Sequence, residues 1–151
     1  MSDRFHFYLR VRYGECDAQK VVFNSRYSDY ADIACLEFLR AAGLGEAVTT
    51  GGLDYQVVKQ TLEWKSSARF DQVLDISVRT SHLGTTSFSL LAEMRIAGEE
   101  SVFATVETVY VLVAAHTLAK MPLPEYFRAA LEKGAPGKTI DHAGYLSLPS
   151  A

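Results

Sequence analysis

Between residues 13 and 27 the chain changes period, and that change limits what it can fold into. Upstream, Phe5, Phe7, Leu9, Val11 and Tyr13 fall on one side of an alternating stretch, with Arg4, His6, Arg10 and Arg12 on the other. A period of two predicts a strand with one buried face. Downstream, Tyr27, Tyr30, Ala31, Ala34, Phe38 and Ala42 recur at three and four residues, the stripe of a helix lying on a core. Asn24 or Ser25 suits the N-cap, because either side-chain oxygen accepts from orphan amides, and Gly43 suits the stop. A helix over 25–42 follows. The joint between the two periods, YGECDAQKVVFNSRY, carries Glu15, Asp17 and Lys20.

After a Gly-containing stretch, TTGGLDY, four further strands are predicted: YQVVKQTLEWKS, QVLDISVRTSHLG, TSFSLLAEMRIAG and SVFATVETVYVLVA. Their spacing suits an antiparallel meander. PLPEYFRAALEKG reads as a short second helix, with Pro124 early and Gly134 as its stop. One long helix against one antiparallel sheet is α+β. The last predicted strand is apolar on both faces, with Val102, Val106, Tyr110 and Leu112 on one and Phe103, Val109, Val111 and Val113 on the other. A sheet covered by a single helix leaves its second face wet, so this strand asks for a second cover, and another copy of the chain is the simplest one. No linker divides the chain. It reads as one domain over 1–134, followed by a weakly patterned, flexible tail over 135–151.

Composition excludes several classes. A chain of 151 residues with 48% apolar residues can bury one core. A net charge of −3 offers no footprint for nucleic acid and no pull toward anionic membranes. No run approaches a membrane span, the N-terminal segment lacks a signal-peptide core, and Cys16 and Cys35 make no disulfide framework. A cytoplasmic protein is the expectation. His6, His82, His116 and His142 have no metal-ligand spacing, and no nucleophile elbow or phosphate loop occurs, so no metal or organic cofactor is expected.

Tyr13, Asp17, the Val21–Val22 pair, Phe23 and Tyr27 resemble the motif of the hotdog-fold acyl-CoA thioesterases, and more narrowly of the 4-hydroxybenzoyl-CoA thioesterase family. FDQVLDISVR and ETVYVLV followed by MPLPEYFRAAL are similar to the second half of that family, so the resemblance spans residues 4–133. It implies a long central helix wrapped by an antiparallel β-sheet, a homodimer or homotetramer, and hydrolysis of an acyl-CoA. It also implies Asp17 as the catalytic carboxylate, with Val22, Phe23, Asn24 and Tyr27 around the substrate. The chain departs from the pattern at Lys20, where the family has Gly, and at Asn24, where it has His or Tyr. Those departures motivate a non-catalytic acyl-binding subunit as the alternative. A thioesterase acting on acyl carrier protein is a further one.

The chemistry has a physical basis. A thioester carbonyl needs a nucleophile or an activated water at its carbon and positive potential at its oxygen. The orphan amides of a helix N-terminus supply the second. Asp17 can attack directly or serve as general base, and the sequence admits both. A turn aspartate also commonly caps backbone amides with no chemistry at all. Glu15, two residues earlier on an extended strand end, would point away from Asp17. Glu37 flanks the helical stripe and is the other rival, because a related hotdog branch carries its carboxylate on the helix. Asp32 falls off the stripe and reads as solvated. Lys59, Lys65 and Arg69 could meet CoA phosphates but read first as a solvated rim; Trp64 could stack on adenine but reads first as packing, and Cys35 reads as a small core residue.

Overall fold

The computed structural model describes residues 3–147. In chain order these form β1 (His6–Arg10), a 3₁₀ turn (Tyr13–Glu15), α1 (Arg26–Ala41), α2 (Gly45–Thr49) and β2 (Leu53–Trp64). Then follow β3 (Val73–Leu83), β4 (Ser87–Ile96), β5 (Val102–Ala114), α3 (Glu125–Lys133), β6 (Thr139–Asp141) and a second 3₁₀ turn (Tyr145–Ser147). The strands make one six-stranded sheet in the order β2-β5-β4-β3-β1-β6.

Cross-strand register explains where the core sits. Phe7 on β1 lies opposite Ile76, Ile76 opposite Met94, and Met94 opposite Ala104. A second row runs from Val78 through Ala92 and Val106 to Leu62. Side chains alternate between faces along each strand, so these rows pave one face of the sheet. Onto that face α1 lays Tyr27, Tyr30, Ala31, Ala34, Cys35, Phe38 and Leu39, all buried. Phe38 meets Phe5 edge-to-face, with ring centroids 5.6 Å apart. Burying such a stripe, rather than intrinsic helix propensity, is what stabilises a helix of 16 residues in water.

Several expectations need correction. The four-strand meander is real only for β3, β4 and β5; β2 crosses to the far edge and pairs with β5. Residues 65–72 make that crossing, and Ala68 is fully buried in it beneath Tyr27. The sheet is not wholly antiparallel, because β6 pairs with β1 in parallel. That strand lies in the stretch expected to be a loose tail. It is held there by the His6 amide donating to Lys138 O at 3.0 Å and by Lys138 Nζ donating to Ala41 O at 2.7 Å. Residues 148–151 of that expected tail lie outside the described residues. Tyr13 leaves the buried face of the first strand and is 70% exposed, because the chain turns at 13–15. Ser25 takes the N-cap position of α1 without a side-chain bond.

The two-sided apolar β5 also has a partial explanation within the chain. A register shift between Met94 and Arg95 marks a bulge at Phe103, whose ring comes within 6.4 Å of Tyr27. At the other end Val113 bridges to Lys120, and Met121 donates its amide to Leu112 O. The unfilled edge of the sheet is instead β2, whose Val57 and Val58 are 51% and 59% exposed. None of the described helices is long and apolar enough to cross a membrane.

Candidate active site

The joint between β1 and α1 folds as a small hairpin. Cys16 bridges to Val22, the Asp17 amide donates to Val21 O at 2.9 Å, and the Lys20 amide donates to Asp17 O at 2.9 Å. This is the pattern of a three-residue loop that closes on a left-handed residue. Lys20 is that residue, with φ +63°. A glycine would adopt this state freely, whereas an L side chain costs about 1 kcal/mol there. Asp17 opens the loop, and its Oδ1 accepts from the Gln19 amide at 2.8 Å and more weakly from the Val21 amide at 3.4 Å. The carboxylate is half-buried and caps its own turn, and among the described residues Oδ2 takes no hydrogen bond.

Glu15 is the more deeply committed carboxylate. It is 7% exposed, and Oε1 accepts from the Tyr30 hydroxyl at 2.8 Å and from the Arg12 amide at 2.8 Å. Oε2 takes the Arg12 guanidinium through Nε and a terminal nitrogen. Burial alone would push this carboxyl up. The hydrogen bonds from Arg12 and Tyr30 outweigh it and hold the group below the usual carboxylate range. An acceptor with four donors is a clamp between the joint and α1, and it is unsuited to receive a substrate proton. The Phe23 amide completes the clamp by donating to Glu15 O at 3.0 Å.

The residues that follow divide into two sets. Val22 and Tyr27 are buried at one point: the Val22 amide donates to Ala68 O, and the Ala68 amide donates to the Tyr27 hydroxyl at 2.9 Å. Both therefore tie the joint to the crossing segment. Phe23 and Asn24 are exposed at the mouth of α1. Two of the first amides of α1 are already used, Arg26 N by Phe23 O at 2.9 Å and Tyr27 N by Asn24 O at 3.4 Å. Those amides are then less available to a ligand than the bare terminus suggests.

Near this terminus α1 is tied to β2 by direct contacts. Trp64 lies 5.9 Å from the Tyr27 ring, and Ser28 Oγ donates to Gln60 Oε1 at 2.6 Å. Gln60 Nε2 in turn donates to Thr108 Oγ1, which is fully buried. Farther along the helix lies an open cavity of about 430 Å³ lined by Asp32, Ile33, Leu36, Asp54, Tyr55, Val57 and Tyr110. Asp32 is exposed, as read from the sequence, and stands on the rim of this cavity. Partial burial and the neighbouring Asp29 push its carboxyl up. The Ser28, Gln60 and Thr108 chain was invisible in sequence, because it spans a helix and two strands that only the crossing of β2 brings together. Glu37 lies elsewhere, with Oε2 3.5 Å from Arg40 and 3.9 Å from His142. The structure thus separates the three carboxylates: Asp17 in the turn, Glu15 in the clamp, Glu37 against the C-terminal segment.

The geometry agrees with what the chain is similar to. The model of the thioesterase-like superfamily matches residues 11–131. A search of curated proteins finds no match. Among solved structures, the BH1999 gentisyl-coenzyme A thioesterase is 25% identical, with a TM-score of 0.73, over 84% of this chain and 98% of that one. A thioesterase-superfamily protein of Jannaschia sp. CCS1 superposes with a TM-score of 0.81 at 19% identity, over 90% of this chain and 96% of that one. A 1,4-dihydroxy-2-naphthoyl-CoA thioesterase of Synechocystis gives 0.73 at 19% identity, over 84% and 94%. The matched span runs from just after β1 into α3 and contains the whole joint. The chain belongs to the thioesterase-like superfamily.

Proposed function

We propose that this protein is a thioester hydrolase of hotdog architecture that cleaves an acyl-CoA at the joint between β1 and α1, with Asp17 as its carboxylate. The observation that carries the reading is the arrangement of the joint itself. A half-buried carboxylate with one unengaged oxygen opens the turn that leads into the N-terminus of α1, and a largely apolar cavity lies between α1 and β2 farther along the helix. The positive end of α1 favours charge developing on the carbonyl oxygen. The cavity suits an acyl group, and Tyr55 and Tyr110 in its wall suit an aromatic one. Asp17 then either attacks the carbonyl carbon, expelling the CoA thiolate and forming a mixed anhydride that water hydrolyses to the acid and free Asp17, or takes a proton from water as that water attacks and the tetrahedral intermediate expels the thiolate. Family membership and the likeness to gentisyl-coenzyme A thioesterase support the reaction class. The motif over Tyr13–Tyr27 supports the 4-hydroxybenzoyl-CoA branch. The packing of α1 against one face of the sheet supports the wrapped central helix of that fold.

A homo-oligomer belongs to the same reading. The support is now β2, a 12-residue edge strand with exposed Val57 and Val58. Long open edges invite pairing with a second copy. A panel of acyl-CoA thioesters of differing chain length and aromaticity, followed by free-thiol release, tests the reaction. Release well above the spontaneous rate supports it. Binding without release would favour the non-catalytic acyl-binding subunit instead.

A further inference from the structure

We infer that Ser28, Gln60 and Thr108 are positioning residues: their hydrogen-bond chain locks the first turn of α1 onto the sheet and so sets where the helix terminus stands relative to the Asp17 turn. The inference rests on the thioesterase reading for the reaction it serves, but the lock itself is a structural claim with its own test. Ser28 Oγ donates to Gln60 Oε1 at 2.6 Å, and Gln60 Nε2 donates to Thr108 Oγ1 at 3.0 Å. Thr108 is fully buried, and Ser28 and Gln60 are half-buried. One helix and two strands are thereby joined by side chains.

Three features of the chain give it this task. The first is its place. Ser28 is the third residue of α1, following the two whose amides Phe23 O and Asn24 O take. Its neighbour Tyr27 accepts from the Ala68 amide, and Ala68 O accepts from Val22 of the Asp17 hairpin. Tyr27 thus ties the first turn to the joint, while Ser28 ties the same turn to β2 and β5. Two anchors on successive residues, about 100° apart around the helix axis, fix its rotation as well as its height. The second feature is cost. Thr108 lies on the face that α1 covers, flanked along β5 by the buried Val106 and Tyr110. A valine there would fill the same space with no polar atom to satisfy. A buried polar chain costs stability unless every partner is made, and it specifies one arrangement when they are. The third is a bulge. The β2–β5 register shifts between Val57, which stands opposite Tyr110, and Lys59, which stands opposite Val109. Without the extra residue Lys59 would stand opposite Thr108; with it Gln60 does. The bend in β2 therefore replaces a cation, which would be costly under the helix, by the amide that completes the chain.

Amide hydrogen exchange of the full chain tests the lock without relying on turnover. Gln60→Leu is close in size and removes both bonds. The amides of residues 30–32, which close the first turn of an α-helix, should exchange about tenfold faster or more, while those around Phe38 and Leu39 keep wild-type rates. No change at 30–32, or a rise spread evenly along α1, overturns the inference. The kinetic arm is thiol release from whichever acyl-CoA wild type cleaves fastest. Gln60→Leu and Ser28→Ala should lower kcat about tenfold with KM within about twofold, because a displaced helix end is felt in the transition state more than in binding. Thr108→Ser keeps the hydroxyl and should stay near wild type, whereas Thr108→Val should lose turnover as Gln60→Leu does. Thr108→Val also strands Gln60 Nε2 without its acceptor, so it should melt lower than the Gln60→Leu, Thr108→Val double variant, which has no stranded group. Turnover should not recover with the melting temperature. A double variant that regains wild-type kcat reduces the chain to a packing contact and overturns the positioning role. If wild type releases thiol but exchange at 30–32 is unchanged in Gln60→Leu, the lock is wrong and the thioesterase reading stands. If exchange rises as expected but wild type cleaves no thioester, the lock of α1 stands and the reaction assignment fails.

Discussion

Replacing Glu15 with Gln tests whether the clamp holds the joint to α1. The substitution keeps the size of the side chain but removes the charge and turns one acceptor oxygen into an amino group facing donors. Four hydrogen bonds converge on the native carboxylate, from the Arg12 amide, two guanidinium nitrogens of Arg12 and the Tyr30 hydroxyl. The guanidinium bonds count for little, because the Arg12 side chain is 72% exposed and water competes for it. The Tyr30 hydroxyl and the Arg12 amide count for more. A buried bond to a charged acceptor is worth about 1.5–3 kcal/mol, and an unpaired buried donor is costly. The expected loss is about 2 kcal/mol at neutral pH, or a fall in melting temperature of roughly 4–8 °C for a domain of this length. The pH dependence has a definite sign. The folded carboxyl lies below its unfolded value of about 4.3, so its contribution is present above that pH and is lost as pH falls through the folded value. Wild type and Glu15→Gln should therefore differ most above about pH 5 and converge as pH falls from there through the lowered folded value. Denaturant unfolding at several pH values measures both. A difference at pH 7 below about 0.5 kcal/mol, the size of a surface substitution, would show that Glu15 is no clamp.

Other consequences are as specific. Phe38→Ala should cost about 3–5 kcal/mol, because the ring is 1% exposed between Phe5 and Gly134; a loss under about 1 kcal/mol in chemical denaturation would remove α1 from the core. Sedimentation at micromolar concentration should give a dimer or tetramer with an interface of roughly 2,000 Å², and joint substitution of Val57 and Val58 by Lys should shift it to monomer. A monomeric wild type refutes the role of the β2 edge. Dialysis against a chelator should leave thiol release unchanged, since a carboxylate and backbone amides suffice for the proposed chemistry; activity restored only by added metal would contradict it.

The helix and most strands were legible because their patterns are local. Period two places Phe5, Phe7, Leu9 and Val11 inside, and the three-four stripe places Tyr27 to Phe38 inside, whatever the rest of the chain does. What could not be read depends on distant pairing. Nothing in β2 says that it passes β3 and joins β5, and the buried Ala68 that marks the crossing is a single small residue in a polar loop. β6 is three residues long, too short for any period, and owes its place to the return of the chain beside β1. At the candidate site, the motif marked the joint and singled out Asp17. The division of labour among carboxylates was not. Glu15 and Tyr30 are fifteen positions apart, and only the turn at 13–15 swings Glu15 inward. Lys20 was legible as an oddity, and its φ of +63° confirms that the turn keeps the glycine geometry with a lysine in it.

The assignment of chemistry to the Asp17 turn is tested most directly by thiol release from acyl-CoA thioesters, with wild type, Asp17→Asn and Glu37→Gln side by side. Asn retains an oxygen that can accept from the Gln19 and Val21 amides, so the turn should survive with a stability change of about 1 kcal/mol or less. The charge is gone, and turnover should fall by about 100-fold or more with acyl-CoA binding preserved, while Glu37→Gln stays near wild type. An Asp17→Asn protein that keeps more than about a tenth of wild-type turnover, against the factor expected of a catalytic carboxylate, would leave Asp17 as a turn cap and contradict the account.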